Sequence, residues 1–482
     1  MRLLLAGDIH IGRTSTRLTG DQGGRRPGEL GARAAWGRIV DAALHHRCAA
    51  VLLSGDVADQ ENGFWEAVGP LQEGTARLAE AGIRTVAVAG NHDHSVLGRL
   101  ADALAPEHFT LVGRGGRWER ITLERDGVPT LHVDGWSFPG SRVTESPLER
   151  YDLPRVQGVP VLGMVHGDLD APGSVYAPLT SGDLRSRQVD GWLLGHIHVP
   201  RLMEATDGGA WILYPGSPQA LHPGESGVHG VWLVEVEGGR LGVPRLHPLS
   251  TARYEVVEVQ VDAIRDPDTV EPHLLSTLEQ KVGRLRIESG EVLRHVGLRV
   301  AVTGSTDVPE AVARAVMALG SGGTDTDLPM GRLRVRVHRV TDATTPRLDL
   351  EEAALSPSAL GATARLLLLL EGRREPHAGE VSRLDSLVER TRSRLDDLRR
   401  QRVYRALESE PVSEAQAREH LRLATRRLLS ELAGQRSHGS SRRGPDAPSP
   451  DGPEDTLMDD STRTPDGRFH EDTVMDDSTR TP

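Results

Sequence analysis

The sequence predicts an α/β fold. Five short apolar runs end in glycine or a small residue. Each opens into a polar segment carrying histidine, aspartate or asparagine, and beyond residue 250 strand-like alternation is interleaved with helical periodicity. The runs are Leu3-Leu4-Leu5-Ala6-Gly7, Val51-Leu52-Leu53-Ser54-Gly55, Thr85-Val86-Ala87-Val88-Ala89-Gly90, Val161-Leu162-Gly163-Met164-Val165 and Trp192-Leu193-Leu194-Gly195. Such runs read as buried strands, and loops leaving strand ends gather at one edge of a sheet.

The segments that follow them are Asp8-Ile9-His10, Gly55-Asp56-Val57-Ala58-Asp59, Gly90-Asn91-His92-Asp93, His166-Gly167-Asp168 and Gly195-His196-Ile197-His198. Residues two apart in an extended segment point to the same side, so Asp8 with His10, and His196 with His198, each present two donors to one cavity. Asp8, His10, Asp56, Asn91, His166, His196 and His198 are too many ligands for one tetrahedral ion. They suit two ions about 3.5–4 Å apart, with Asp56 as the bridging carboxylate. Two divalent ions bring four positive charges and the two aspartates return two, so the site favours an anionic substrate. Ions so held activate water and stabilise charge on phosphoryl oxygens. Imidazole-rich ligation disfavours calcium and magnesium and leaves manganese, iron, cobalt, nickel and zinc open. His92 is the expected general acid for the leaving oxygen, with Asp93 orienting its imidazole.

The order Asp-x-His, Gly-Asp-x-x-Asp, Gly-Asn-His-Asp, His, Gly-His-x-His resembles that of the calcineurin-like metallophosphoesterases. Within them the chain is similar to bacterial DNA repair exonucleases of the SbcD and YhaO type, relatives of the Mre nuclease. The likeness covers residues 1–250 and includes Tyr214-Pro215-Gly216-Ser217-Pro218-Gln219, His222, Gly224-Glu225, Gly227 and the run Val231 to Val236. Gln60-Glu61 after Asp59 and the absence of tyrosine in residues 56–63 set it apart from the Ser/Thr and purple acid phosphatases. The resemblance implies a two-sheet β-sandwich flanked by helices. It also implies that Asp8, His10, Asp56 and His198 hold one ion, that Asp56, Asn91, His166 and His196 hold the other, and that His92 is catalytic. Two divalent ions, with manganese the expected species, and DNA as substrate complete the expectation. A cyclic-nucleotide-type phosphodiesterase would use the same site, and a non-catalytic partner role is the third reading.

Length and charge bound the rest. At 482 residues the chain holds two or three domains. Cys48 is the single cysteine and reads as a buried apolar residue, so no disulfide framework exists. Met1 runs directly into the first motif, so no signal peptide is expected. No apolar stretch, Leu366 to Leu370 included, is long enough to span a membrane. A cytoplasmic protein without membrane association is the expectation. The net charge of −12 is unevenly spread, because residues 439–482 carry eleven acidic side chains against five arginines.

Beyond residue 250, Tyr254 to Val261, Val296 to Val302 and Leu333 to Val337 alternate like strands, with helices expected over 270–281 and 309–319. Residues 251–345 therefore read as a small α/β domain. The resemblance makes it a cap over the active-site cleft; an oligomerisation module, including a homodimer interface, is the alternative. Residues 346–379 read as a linker. Residues 380–435 are helical and arginine-rich, with Leu384, Leu387, Val388, Leu395, Leu398 and Val403 and then Leu421, Ala424, Leu428 and Leu432 at helical spacing. Such a pair suits a partner helix, which the resemblance identifies as the coiled coil of an ATPase of the SbcC or YhaN kind, or packs back on its own chain. Residues 436–482 read as a disordered acidic tail containing a duplicated 12-residue motif, Glu454 to Pro465 and Glu471 to Pro482.

Overall fold

A computed structural model describes residues 1–18, 28–59, 64–105, 108–205, 209–321, 333–377, 379–399 and 412–440. The first three apolar runs form parallel strands Arg2–Ala6, Ala50–Leu53 and Arg84–Ala87, and Phe109–Leu111 adds a fourth, adjacent in that order. Gly230–Glu237 closes the other side of Arg2–Ala6 antiparallel, Leu4 opposite Leu233. A second sheet runs Glu119–Arg125, Val128–Trp136, Val161–His166, Gly191–Gly195, Trp211–Tyr214, Arg201–Met203, with its four middle strands parallel.

Strand alternation sorts side chains into layers. Leu3, Leu5, Ala50, Leu52 and Val86 face the second sheet and pack with Val133, Leu162, Met164, Leu193 and Leu213. Leu4, Ala6, Val51, Leu53 and Ala87 face outward. There they meet Trp36, Ile39 and Val40 of helix Ala32–His45, Leu71 and Leu78 of Phe64–Glu80, and Leu97 of His94–Ala103. The outer face of the second sheet carries Trp136, Val161, Val165, Trp192 and Leu194. This is the expected two-sheet sandwich flanked by helices. It directs the C-terminal ends of the parallel strands of both sheets to one edge.

Ala252–Gln260, His295–Thr306 and Arg334–Pro346 form a separate three-stranded parallel sheet. Helices Val270–Ser289 and Pro309–Ser321 cover one of its faces, burying Leu274, Leu278, Val282 and Val312 against Val259, Val296, Val300 and Val335. The sheet is seated on the sandwich. The Tyr254 hydroxyl donates to the Thr16 carbonyl, and His295 Nε2 lies 2.8 Å from Glu29 Oε1.

The linker expectation for 346–379 is corrected. Helices Leu350–Ala354 and Ala359–Leu370 occupy it, capped by Asp349 and Ser358, whose side chains accept from Glu351 and Glu352 N–H and from Gly361 N–H. Leu360, Ala364 and Leu367 are buried against Leu429 and Ala433 of helix Glu414–Ser440. In helix Glu380–Arg399, Leu384 and Val388 pack with Val412 and Ala417. The two long helices thus spend much of their apolar stripes on their own chain, although Leu428 stays 49% exposed. The expected break near residue 410, Val403 and the duplicated motif lie outside the described residues, as does the tail beyond Ser440. Cys48 is buried. No helix among the described residues is long and apolar enough to cross a membrane.

Candidate metal centre

Asp8 lies just beyond strand Arg2–Ala6, Asp56 beyond Ala50–Leu53, Asn91 beyond Arg84–Ala87, His166 ends its own strand, and His196 follows Gly191–Gly195. Backbone bonds lock these loops together: Asp8 N–H donates to Gly55 O at 3.0 Å and His10 N–H to Asp56 O at 3.0 Å. The sheets are tied across the same edge, because His196 N–H donates to Asp8 Oδ1 at 3.0 Å and His166 Nδ1 to Ser54 O at 3.0 Å. Asp8, His10 and Asp56 hold φ near +50° and His196 is at +101°, a left-handed region that such residues rarely adopt. Two glycines permit the approach. A Cβ on Gly90 would lie 2.2 Å from Asp56 Oδ1, and one on Gly195 would lie 2.1 Å from Ser54 O.

All seven predicted donors meet here. Asp8, His10 and His198 bring ligand atoms within 4.8 Å of one another, and so do Asp56, His166 and His196. Asn91 Oδ1 is 3.1 Å from His166 Nε2. Asp56 Oδ2 faces both groups, 3.8 Å from His10 Nε2 and 3.4 Å from His166 Nε2.

The donors fit a cation. His10 Nε2 and His198 Nε2 face each other at 3.1 Å. His166 commits its Nδ1 proton to Ser54, so Nε2 points a lone pair at two oxygens unless a proton or metal ion lies between. Asp8 Oδ2 is buried without a hydrogen-bond partner among the described residues, an oxygen a cation would satisfy. Electrostatics agree. Burial lowers His166, but Asp56 overrides it and raises the imidazole to about 9. Burial raises Asp8 to about 6 and depresses His10 to about 3. Burial pushes Asp56 up, yet His166, His10 and the His92 N–H together hold it below the ordinary carboxylate range.

His92 borders the cluster with its side chain 31% exposed. Its N–H donates to Asp56 Oδ1 at 3.0 Å, and its ring lies 5.2 Å from that of His10. The expectation for Asp93 is corrected. That carboxylate is buried and accepts from Val57 N–H at 2.6 Å and Gly90 N–H at 2.8 Å, pinning two ligand loops together. The carboxylate beside His92 is Asp59, 3.8 Å from Nδ1 and also paired with Arg13. Asp93 sits at the N-cap of helix His94–Ala103, which turns its side chain back toward the preceding loops.

Two further carboxylates back the final histidines. Glu225 Oε1 is 2.8 Å from His198 Nδ1 and its Oε2 accepts from Ser217 Oγ and Leu221 N–H, while Asp168 Oδ1 is 3.3 Å from His196 Nε2. These acceptors set which ring nitrogen keeps its proton, leaving the opposite nitrogen for a ligand. Asp59, Asp168 and Glu225 stand inside the quoted motifs, and only their three-dimensional neighbours reveal what they do.

Comparison with known proteins agrees with this geometry. Residues 1–200 match the calcineurin-like phosphoesterase family. That match covers the N-terminal part of the chain, which carries all seven donors. The chain is 31% identical over 204 residues to the uncharacterized metallophosphoesterase YhaO of Bacillus subtilis, a match over 42% of this chain and 48% of that protein. It therefore spans about half the length of that relative. It is 23% identical over 430 residues to the DNA double-strand break repair protein Mre11 of Methanopyrus kandleri, covering 80% of this chain and 86% of the relative. The Mre11 of Haloferax volcanii matches at 28% over 269 residues, 54% of this chain and 55% of the relative. Among solved structures, a dimetal phosphatase from Danio rerio aligns over 49% of this chain and 92% of its own, with 14% identity and a TM-score of 0.31. Metallophosphoesterases use divalent metals, and the clustered donors accord with that.

Proposed function

We propose that the chain is a metal-dependent nuclease that hydrolyses DNA phosphodiester bonds, as the nuclease subunit beside a coiled-coil ATPase in DNA repair. The observation that carries this reading is two adjacent donor clusters with Asp56 Oδ2 facing both His10 and His166, and a partly exposed His92 at their rim. Asp8, His10, Asp56 and His198 would hold one ion, and Asp56, Asn91, His166 and His196 the other. When bound, two such ions, manganese in our reading, supply an activated water and stabilise charge on the phosphoryl oxygens. His92 sits where a proton can be handed to the departing oxygen, and Asp59 restrains its ring. Asp93 keeps the Asp56 and Asn91 loops in register.

The preference for DNA over a small ester rests on extent. Similarity to a double-strand break repair protein runs over 80% of the chain, well past the catalytic domain. A small-substrate enzyme has no need of the separate three-stranded sheet or the C-terminal helices. The ATPase partnership follows from the family resemblance.

The test incubates purified protein and manganese with end-labelled duplex DNA, single-stranded DNA and cyclic nucleotides in parallel, with Asp56→Ala as control. Degradation of DNA that disappears in the variant is the expected result. Cleavage of cyclic nucleotides with DNA untouched would refute the nuclease reading, and inertness toward all three would point to a non-catalytic partner.

A further inference from the structure

The helices of the three-stranded domain cover one face of its sheet. In register, Tyr254, Gly297 and Arg336 form one row of the other face, and Val256, Arg299 and Arg339 form the next. Arg299 and Arg339 are both exposed and directly opposite each other. Like charges so placed destabilise a sheet. A register shift produces the pairing: Leu298 faces Val337, but Arg299 faces Arg339, and His338 is skipped. Without this bulge Arg339 would turn to the helix-covered face with Val335 and Val337. Bulges re-aim side chains in this way, often beside functional sites.

A third exposed arginine arrives from the catalytic domain. Arg17 lies between Thr16, whose carbonyl accepts from the Tyr254 hydroxyl, and Leu18, which packs with Tyr254 and Ala252. Tyr254 also meets the His338 ring, 6.5 Å between centroids. Burial first, then Arg299, Arg17, Arg336 and Arg339, depress the imidazole of His338, as four guanidiniums around one ring should. Three acidic side chains stand on this sheet: Glu255 pairs with Arg253, Asp342 accepts from Thr344 N–H and Oγ1, and Glu258, exposed one row beyond Val256 on the arginine face, accepts from the Thr303 hydroxyl, so the arginines there outnumber the carboxylates. Such a concentration of positive charge runs against a chain of net charge −12.

We propose that Arg17, Arg299, Arg336 and Arg339 form a binding site for the phosphodiester backbone of a nucleic acid strand, at the seam between the catalytic domain and the three-stranded domain. Guanidinium groups grip phosphate oxygens through paired, charge-assisted hydrogen bonds, and several phosphates in series match several arginines on two walls. Arg17 lies on the loop that starts at Asp8 and His10, so a strand held at the seam is tethered one loop from the metal centre. The inference rests on the nuclease reading, whose substrate it would anchor.

The test uses the full chain and a double variant, Arg299→Gln with Arg339→Gln. Binding of a fluorescein-labelled 30-base-pair duplex is followed by anisotropy in EDTA across a salt series, and hydrolysis of bis(p-nitrophenyl) phosphate with manganese reports the metal centre. We expect affinity at fixed salt to drop about tenfold or more. The slope of log affinity against log salt should shrink by about two, one unit for each phosphate released from an arginine. Ester hydrolysis should be unchanged. Arg17→Gln, on a loop outside the sheet, should lower the slope by about one and guards against a folding defect in the double variant. Unaltered affinity and slope in both variants, while the wild type binds, would overturn the seam alone. A wild type that cleaves the ester but binds no DNA would overturn the nuclease reading and the seam with it.

Discussion

The two histidines of residues 196 and 198 share a motif but present opposite ring nitrogens, because Asp168 faces Nε2 of one and Glu225 faces Nδ1 of the other. Removing such a supporting carboxylate typically costs 10- to 100-fold in metal affinity, about 1.4–2.7 kcal/mol. Glu225→Gln should therefore weaken metal binding by that factor in calorimetric titration, whereas His92→Ala should leave metal affinity intact and lower turnover by about 10²–10⁴-fold. A Glu225→Gln protein that binds metal like wild type would remove the positioning role. Protonation gives a second handle. The His166 pKa is raised, so its ion pair with Asp56 stabilises the metal-free fold fully below about pH 6.5 and is lost as pH rises through about 9. A metal on Nε2 must expel that proton. At pH 8, above the values near 6 and 7 of Asp8 and Asp93, metal uptake should release about one proton per chain. Titration in buffers of different ionisation enthalpy reads it, and affinity should climb with pH up to about 9. Sequence spacing brought all seven donors to light at this scale. It assigned His92 the wrong carboxylate, because Asp93 is adjacent in the chain while Asp59 is adjacent in space.

At the scale of elements, the site depends on how closely two sheet edges approach. Gly195 ends its strand against Ser54 O and His166 Nδ1, and a Cβ there would sit 2.1 and 2.4 Å from them. Gly195→Ala should push the sheets apart, costing about 1–3 kcal/mol in stability. It should also weaken metal binding, although it removes no ligand. Chemical denaturation together with metal titration would show both effects, and an unperturbed Gly195→Ala protein would contradict the packing described. The strands were legible because buried parallel strands read as continuous apolar runs. The helices within 346–379 were not, although Asp349 and Ser358 offered N-cap signals. Their burial depends on helix Glu414–Ser440, far along the chain. Whether an amphipathic helix meets its own chain or a partner is not written in its periodicity.

At the scale of the whole molecule, a sandwich gathers seven donors at one edge and the three-stranded sheet is bolted beside it through Tyr254, His295 and Glu29. Which run pairs with which, and that two sheets rather than one converge, follow from packing between distant segments and not from local pattern. The family resemblance supplied that part of the architecture. Everything proposed for the chemistry turns on these residues holding two ions bridged by Asp56. Metal content per chain tests this, by inductively coupled plasma mass spectrometry after equilibrium dialysis against manganese, for wild type and Asp56→Ala. We expect two ions per chain in the wild type and loss of at least one in a variant that remains folded. A wild type that retains one ion or none, or an Asp56→Ala protein that keeps two, would refute the bridged pair.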